Sequence, residues 1–311
     1  MATEDVSIDK ETINLYFQQK KADIEFLDAC RNGDAIVVDI LINLGIDVNK
    51  IYDNKYTPLA EACRENQNEI VDLLIKAGAD VNQILPNSNY FSIPLYSAIS
   101  NRNYYIVKKL LKAGVKVDYH YANIRYTPLH YAALYNFSKI FELLIKYGCN
   151  VNCKNFSMSA VTPLHDAVES GNRRAIRKLI ALGADINAKN EIDGYTPLHE
   201  AVESGILKTV KLLVKLGAEI ESLDNNEFTP LLLAISHKKI KIIKFLISQG
   251  ANPTLTTITG YNAFDLIAED ADYGSDDPDQ IKEKNITNYL LSEIWNIKKE
   301  EETNSKRQRI K

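Results

Sequence analysis

The stretch TPLHEAVESGILKTVKLLVKLG, residues 196–217, decides the fold of this chain. Pro197 suits the first turn of a helix, because that position needs no backbone N–H donor. Gly205 interrupts the helical pattern, and a second segment with apolar residues at helical spacing follows it. Gly217 then supplies the left-handed conformation that ends many helices. The stretch therefore predicts two short helices joined by a turn.

The same stretch recurs along the chain in a fixed register. Its copies start at Thr57, Thr127, Thr162, Thr196 and Thr229, with a degenerate start at Ile93 and only the position kept at Ile24 and Asn262. A glycine lies 21 residues after each of the first seven starts, at Gly45, Gly78, Gly114, Gly148, Gly183, Gly217 and Gly250. The segment from each glycine to the next start varies from 12 to 15 residues, so length changes are confined to one loop of the repeat.

Neither helix of one copy is long enough to be stable alone, so each has to bury its apolar face against the next copy. The Thr-Pro-Leu-His start and the Gly-Ala-Asp-Val-Asn close, complete at residues 78–82, resemble the ankyrin repeat. The resemblance covers residues 22–296, about eight repeats. It implies an all-α fold, an ankyrin-repeat solenoid of stacked helix-turn-helix units with hairpin-like finger loops. We expect residues 1–21 to form an N-terminal segment, residues 297–311 to form a charged C-terminal tail, and the first and last repeats to be caps.

An acidic stretch, residues 269–279, separates the two helices expected in the last repeat. Asp270 and Asp272 fit the first ligands of a calcium-binding loop, but Gly274 and Ile281 then stand where that loop needs oxygen ligands. We interpret the stretch as an insertion in the C-terminal cap.

The residue types that could carry chemistry do not converge on one site. His130, His165 and His199 recur at one position of the repeat, for which the resemblance implies a hydrogen bond between repeats, while the threonine caps the helix. Catalysis needs a single converging set of groups, and no nucleotide-binding or nucleophile motif is found. We therefore expect a non-catalytic protein with no cofactor and no metal site.

The composition limits which cellular compartment and which classes of partner are expected. The 311 residues carry a formal net charge of −4, which favours neither nucleic acid nor an anionic membrane. Four scattered cysteines fit neither a disulfide framework nor zinc spacing and favour a reducing compartment. No secretory signal or membrane-spanning run is found. We expect a monomeric cytoplasmic protein. A basic tail, residues 305–311, favours the nucleus as the alternative compartment.

The resemblance implies that finger loops and first helices line a concave groove that binds a partner protein. Aromatic residues precede the start of five copies, and such residues are common binding hot spots. From these positions and the longest loop we predict contacts at Tyr56, Tyr90, Phe91, Tyr126, Tyr195 and Phe228. The alternative is that these rings pack on the next finger loop.

Charge is segregated between the two helices of the repeat. In the first helices the predicted contacts are Tyr131 and Tyr135 beside a carboxylate ridge of Asp166, Glu169, Glu200 and Glu203. Basic residues concentrate on the second helices, at Lys108, Lys109, Arg173, Arg174, Lys208, Lys211, Lys241 and Lys244. This segregation favours a partner protein with a basic or mixed basic–apolar surface, although the charges could serve solubility alone.

Three functions stay open at this point. The leading one is an interaction scaffold. The composition is rich in isoleucine, asparagine, lysine and tyrosine, which is typical of an AT-rich genome such as that of an intracellular bacterium, an amoeba or a large DNA virus. A chain from such a source would have a host-directed role. Such a protein would be delivered into a host cell. The second is a nuclear regulator that binds a transcription or chromatin factor. The third is nucleic-acid binding through the basic convex face.

Overall fold

The computed structural model describes residues 10–52, 56–83, 92–118, 126–155, 157–270 and 292. Within these residues the regular elements are α-helices, with one isolated bridge between Tyr52 and Tyr56. The helices are α1 Lys10–Asn32, α2 Ala35–Asn43, α3 Pro58–Arg64, α4 Asn68–Lys76, α5 Pro94–Ser100, α6 Tyr104–Lys112, α7 Pro128–Leu134, α8 Ser138–Lys146, α9 Pro163–Glu169, α10 Arg173–Ala181, α11 Pro197–Glu203, α12 Leu207–Lys215, α13 Pro230–Ser236, α14 Ile240–Ser248 and α15 Ala263–Asp270. The predicted all-α class and the helix pairs are confirmed.

Helix bounds follow the residues that the repeat pattern singles out. The Thr57 hydroxyl accepts a hydrogen bond from the Ala60 N–H at 3.1 Å and so caps the first turn of α3. Proline follows directly as the first helical residue. The second helices end before glycines with positive φ, such as Gly183 at 87° and Gly217 at 96°. A side chain would be strained there, which explains why the glycine recurs.

The chain divides into two compact subdomains. The N-terminal subdomain holds the described residues within 10–132 and 137–150, and the C-terminal subdomain holds 133–136 and those from 151 onward. In the N-terminal subdomain α1 packs on α3 and α3 on α5; in the C-terminal subdomain α9 packs on α11 and α11 on α13. First helices therefore stack on one another, as the short helices require. The helix α1 begins at Lys10, inside the segment that the sequence places before the array.

Histidines link successive repeats in the C-terminal subdomain. The His165 ring shares a hydrogen bond with the Thr162 hydroxyl through Nδ1 at 2.9 Å and one with the Tyr195 carbonyl through Nε2 at 3.0 Å. His199 makes the same pair with Thr196 and with the Phe228 carbonyl. Burial lowers the pKa of His165 to about 4, so the ring is neutral near pH 7. The hydrogen bond between repeats is confirmed for His165 and His199.

The degenerate repeat in the N-terminal subdomain solves the same problem with a different residue. Tyr96 stands where other repeats have histidine, and its hydroxyl donates to the Tyr126 carbonyl at 2.8 Å. The link between repeats is thus kept although Thr and His are both missing from the repeat that starts at Ile93.

Asparagines form a second ladder between repeats. Asn152 follows the cap glycine by four positions; its Nδ2 donates to the Gly183 carbonyl and its Oδ1 accepts from the Asp185 N–H, both at 2.9 Å. Asn49 and Asn82 make the same two bonds in the N-terminal subdomain. Each bridge satisfies a carbonyl that the end of a helix leaves unpaired.

Candidate protein-interaction surface

The predicted aromatic contacts are partly packed into their own repeats. Tyr56, Tyr126, Tyr195 and Phe228 are all half-buried. The Tyr195 ring stacks on His199 with centroids 5.6 Å apart, and the Tyr126 ring tilts against His130 at 6.3 Å. Each ring keeps an accessible part beside the first helix. Tyr90 and Phe91 lie outside the described residues.

Tyr131 on α7 and Tyr135, the residue directly after α7, fall in different subdomains. Tyr131 belongs to the N-terminal subdomain, is half-buried and lies 6.2 Å from the Phe137 ring. Tyr135 belongs to the C-terminal subdomain and is 50% exposed. Of the two, Tyr135 offers the larger accessible apolar surface.

The carboxylates of α9 and α11 are brought together in the C-terminal subdomain, but not as an exposed ridge. Glu169 and Glu203 are exposed, Glu200 is half-buried, and Asp166 is only 2% exposed. Asp166 differs from the sequence expectation because its position, four residues after the start of the repeat, faces neighbouring repeats. Glu61, Ser97 and Leu233 occupy the same position and are also buried.

Asp166 and Glu200 of this cluster have raised pKa values. Burial, with repulsion from Glu169 and Glu200, raises the pKa of Asp166 well above its usual value. Burial and the neighbouring acidic groups raise the pKa of Glu200 to about 7. Asp166 Oδ2 is buried without a hydrogen-bond partner in the described part of the chain. At the rim, the His237 ring lies 3.2 Å from a Glu203 oxygen.

The same repeat position in the N-terminal subdomain carries a buried ion pair, which sequence reasoning missed. Glu61 is fully buried and accepts from Arg31 Nε at 2.6 Å and from Arg64 Nη2 at 2.8 Å. Burial alone would raise the pKa of Glu61, but hydrogen bonds from Arg64 and Arg31 lower it. The signal was available: both arginines lie seven residues after a repeat start, at Ile24 and Thr57.

The predicted basic residues lie on the second helices α6, α10, α12 and α14. Lys109 is half-buried and pairs with Asp72 at 2.8 Å. The other seven are exposed: Lys108, Arg173, Arg174, Lys208, Lys211, Lys241 and Lys244. First and second helices of the C-terminal subdomain therefore carry opposite charge.

None of the helices in the described residues is long and apolar enough to cross a membrane. In the same residues, no three or more His, Cys, Asp or Glu side chains are grouped so that they could hold a metal ion. The acidic stretch beyond Asp270 and the basic tail lie outside the described residues.

Comparison with known proteins agrees with this architecture. The family model "Ankyrin repeats" matches three times, at residues 26–85, 95–190 and 164–257. The putative ankyrin repeat protein FPV031 of fowlpox virus is 35% identical over 157 residues, which is 48% of this chain and 45% of that protein. The inactive serine/threonine-protein kinase TEX14 of Bos taurus is 35% identical over 97 residues, 31% of this chain and 6% of that protein. The chain thus spans less than half the length of these relatives.

Among solved structures, the human ASB11 ankyrin repeat domain matches with a TM-score of 0.61 at 24% identity, covering 73% of this chain and 98% of that one. At that identity the likeness supports the fold alone. The family and fold are typically non-catalytic and serve protein–protein interaction. Because the family model covers well over half of the sequence, this chain belongs to the ankyrin repeat family.

Proposed function

We propose that this chain is a non-catalytic scaffold that holds a partner protein against its first helices and finger loops. The observation that carries the proposal is the carboxylate cluster of the C-terminal subdomain. Asp166 and Glu200 are withdrawn from water, and no basic side chain of the described residues neutralises them. Desolvated carboxyl groups without a basic partner are retained at a cost to stability, and such a cost is typical of residues kept for binding.

The aromatic residues of the same subdomain indicate the chemistry of the partner. Tyr135 gives an exposed ring, and Tyr195 and Phe228 are half-buried aromatic residues of the same subdomain. Aromatic residues are typical of interaction hot spots, and these three belong to the same subdomain as the desolvated carboxyl groups. A partner with basic and apolar side chains close together on one surface fits this arrangement.

The similar proteins bear on whether the partner comes from a host cell. Several proteins of fowlpox virus resemble this chain, among them the putative ankyrin repeat proteins FPV024 and FPV244. This similarity supports a host-directed role, with a host protein as the partner. The basic tail supports a second candidate, a nuclear regulator that binds a transcription or chromatin factor. The nuclear localisation is tested by comparing a fluorescent fusion of the whole chain with one that lacks residues 305–311.

The experiment is affinity capture from host-cell lysate with three forms of the chain. These are the wild type, the groove variant Tyr131→Ala/Tyr135→Ala/Glu200→Lys, and a control with Lys211→Glu/Lys241→Glu on the second helices. All three are first checked for equal melting temperature. We expect one protein to be held by the wild type and the control and to be lost by the groove variant. Equal capture by all three forms would contradict the proposal.

A further inference from the structure

Two equivalent places in the repeat array carry opposite charge. In the N-terminal subdomain, Glu61 lies four positions after the start of its repeat. Arg64 lies seven positions after the same start, and Arg31 lies seven positions after the start of the preceding repeat. In the C-terminal subdomain, Glu200 lies four positions after Thr196 and is therefore equivalent to Glu61. The positions equivalent to the two arginines around Glu61 are occupied here by glutamates, Glu203 and Glu169. The two sets of positions are equivalent in the repeat, so they differ only in the side chains that occupy them.

The N-terminal place shows how such a site is satisfied. The planar guanidinium groups of Arg31 and Arg64 both reach the Oε2 atom of Glu61, and Arg64 Nε also reaches Oε1 at 3.3 Å. A fully buried carboxylate is tolerated there because charged donors replace its water.

The C-terminal place lacks those donors. The Asp166 Oδ2 atom is buried without a hydrogen-bond partner, and the side chains that raise the pKa of Asp166 are the carboxylates of Glu169 and Glu200. Directly after α13, the His237 ring reaches Glu203 at the rim. The described carboxylates are not grouped as a metal site. A planar organic cation, like the guanidinium groups beside Glu61, therefore fits this cluster better than a metal ion does.

We propose that the acidic cluster of Asp166, Glu169, Glu200 and Glu203 binds one arginine side chain of the partner protein. Its guanidinium group would take the place that Arg31 and Arg64 fill beside Glu61. Arginine is favoured over lysine because its planar fork can bond two carboxylates at once. This inference rests on the proposed scaffold function and names the residue type that the scaffold recognises. Binding of a fixed positive charge would lower the pKa of Glu200 and release protons near pH 7.

The first test uses N-acetyl-arginine amide as the probe, with N-acetyl-citrulline amide as the neutral molecule of the same shape. Carboxyl NMR signals of Asp166 and Glu200 in the full chain report binding. We expect saturable shifts with the arginine probe, none with the citrulline probe, and binding at least tenfold weaker in Asp166→Asn/Glu200→Gln. The control Glu227→Gln, an exposed carboxylate elsewhere in the same subdomain, should bind as the wild type does. Equal responses to arginine and citrulline, or none to either, would overturn the proposal.

The second test fills the site from within the chain. Glu169→Arg/Glu203→Arg copies the arrangement of Arg31 and Arg64 around a glutamate. We expect this variant to keep the wild-type melting temperature or exceed it and to lose the arginine probe. Unchanged probe binding in the folded variant would place the site elsewhere and overturn the inference.

The outcomes separate this inference from the scaffold function. If a captured partner depends on Tyr135 and Glu200 but is still held by Glu169→Arg/Glu203→Arg, the scaffold function stands and the arginine site is wrong. If the probe binds and is lost in both cluster variants while no captured protein depends on the groove residues, the arginine site stands and the scaffold function is wrong.

Discussion

At the scale of single residues, the carboxyl group of Glu200 connects stability to pH. Its pKa is raised to about 7 from an ordinary value of 4.5, so the folded state binds this proton more tightly than the unfolded chain does. The stability that the group contributes is therefore present below pH 4.5 and is lost as the pH rises toward 7. Glu200→Gln should raise the free energy of unfolding by about 1–3 kcal/mol at pH 8 and by less than about 0.5 kcal/mol at pH 4.5. Urea unfolding at both pH values measures the difference.

A matched control separates charge from packing in that experiment. Glu227 is exposed in the same subdomain, so Glu227→Gln should change stability little and equally at both pH values. The low pKa of His165 acts in the opposite direction, but it is present in both proteins and cancels in the comparison. A gain from Glu200→Gln of the same size at pH 4.5 and pH 8 would mean that improved packing, and not relief of charge, is its cause.

The hydroxyl of Tyr96 permits a single-atom test of the link between repeats. Tyr96→Phe keeps the buried ring and removes the hydroxyl that donates to the Tyr126 carbonyl. We expect a loss of about 1–2 kcal/mol in the free energy of unfolding, because a carbonyl between repeats loses its donor. Tyr104→Phe removes the hydroxyl of an exposed tyrosine on α6 and should change it by less than about 0.5 kcal/mol. Equal effects of the two substitutions would show that the Tyr96 bond contributes nothing to stability.

At the scale of elements, the asparagine ladder should control local opening between repeats. Asn152→Ala removes both bonds to the next repeat, so hydrogen exchange at the Asp185 amide should become about tenfold faster. Asn152→Asp keeps the acceptor and should keep most of the protection; Asp118 occupies this position naturally and accepts from the Asn150 N–H. The amide of Glu219, which is bonded to Asn187, serves as the internal reference. Protection of Asp185 that survives Asn152→Ala would show that the ladder does not limit opening.

The elements are also where the sequence predicts most. Proline at the start and glycine after the end fix the bounds of α11 and α12 to within about one residue, because both act through local backbone geometry. The burial of Asp166 and the ion pairs of Glu61 were not predicted. They depend on side chains from adjacent repeats, about thirty residues apart in sequence, and on which helix face meets the neighbour. Comparing charges at equivalent positions of successive repeats would have revealed the contrast between Arg31 and Glu169.

At the scale of the whole molecule, the charges on the two kinds of helix set what the surface can attract. The net charge is −4, although the second helices carry exposed cations. Attraction of DNA requires many lysine and arginine contacts to phosphates at once, and a negative overall field opposes the approach. The same field favours a basic partner protein at the acidic cluster. Mutation of the second helices should therefore leave binding of the partner protein intact, whereas it should abolish binding to DNA if DNA is the ligand.

Fluorescence anisotropy with a mixed-sequence DNA duplex decides between them. We expect no saturable binding below about 100 μM protein at 150 mM salt, a level weaker than ordinary non-specific DNA binding. Any signal at 20 mM salt should disappear as salt is added. A variant with Lys208, Lys211, Lys241 and Lys244 changed to glutamate should match the wild type at 150 mM salt and should still capture the partner protein. Submicromolar binding to DNA that is lost in this variant would move the functional surface from the first helices to the second, because the four substituted lysines lie on α12 and α14.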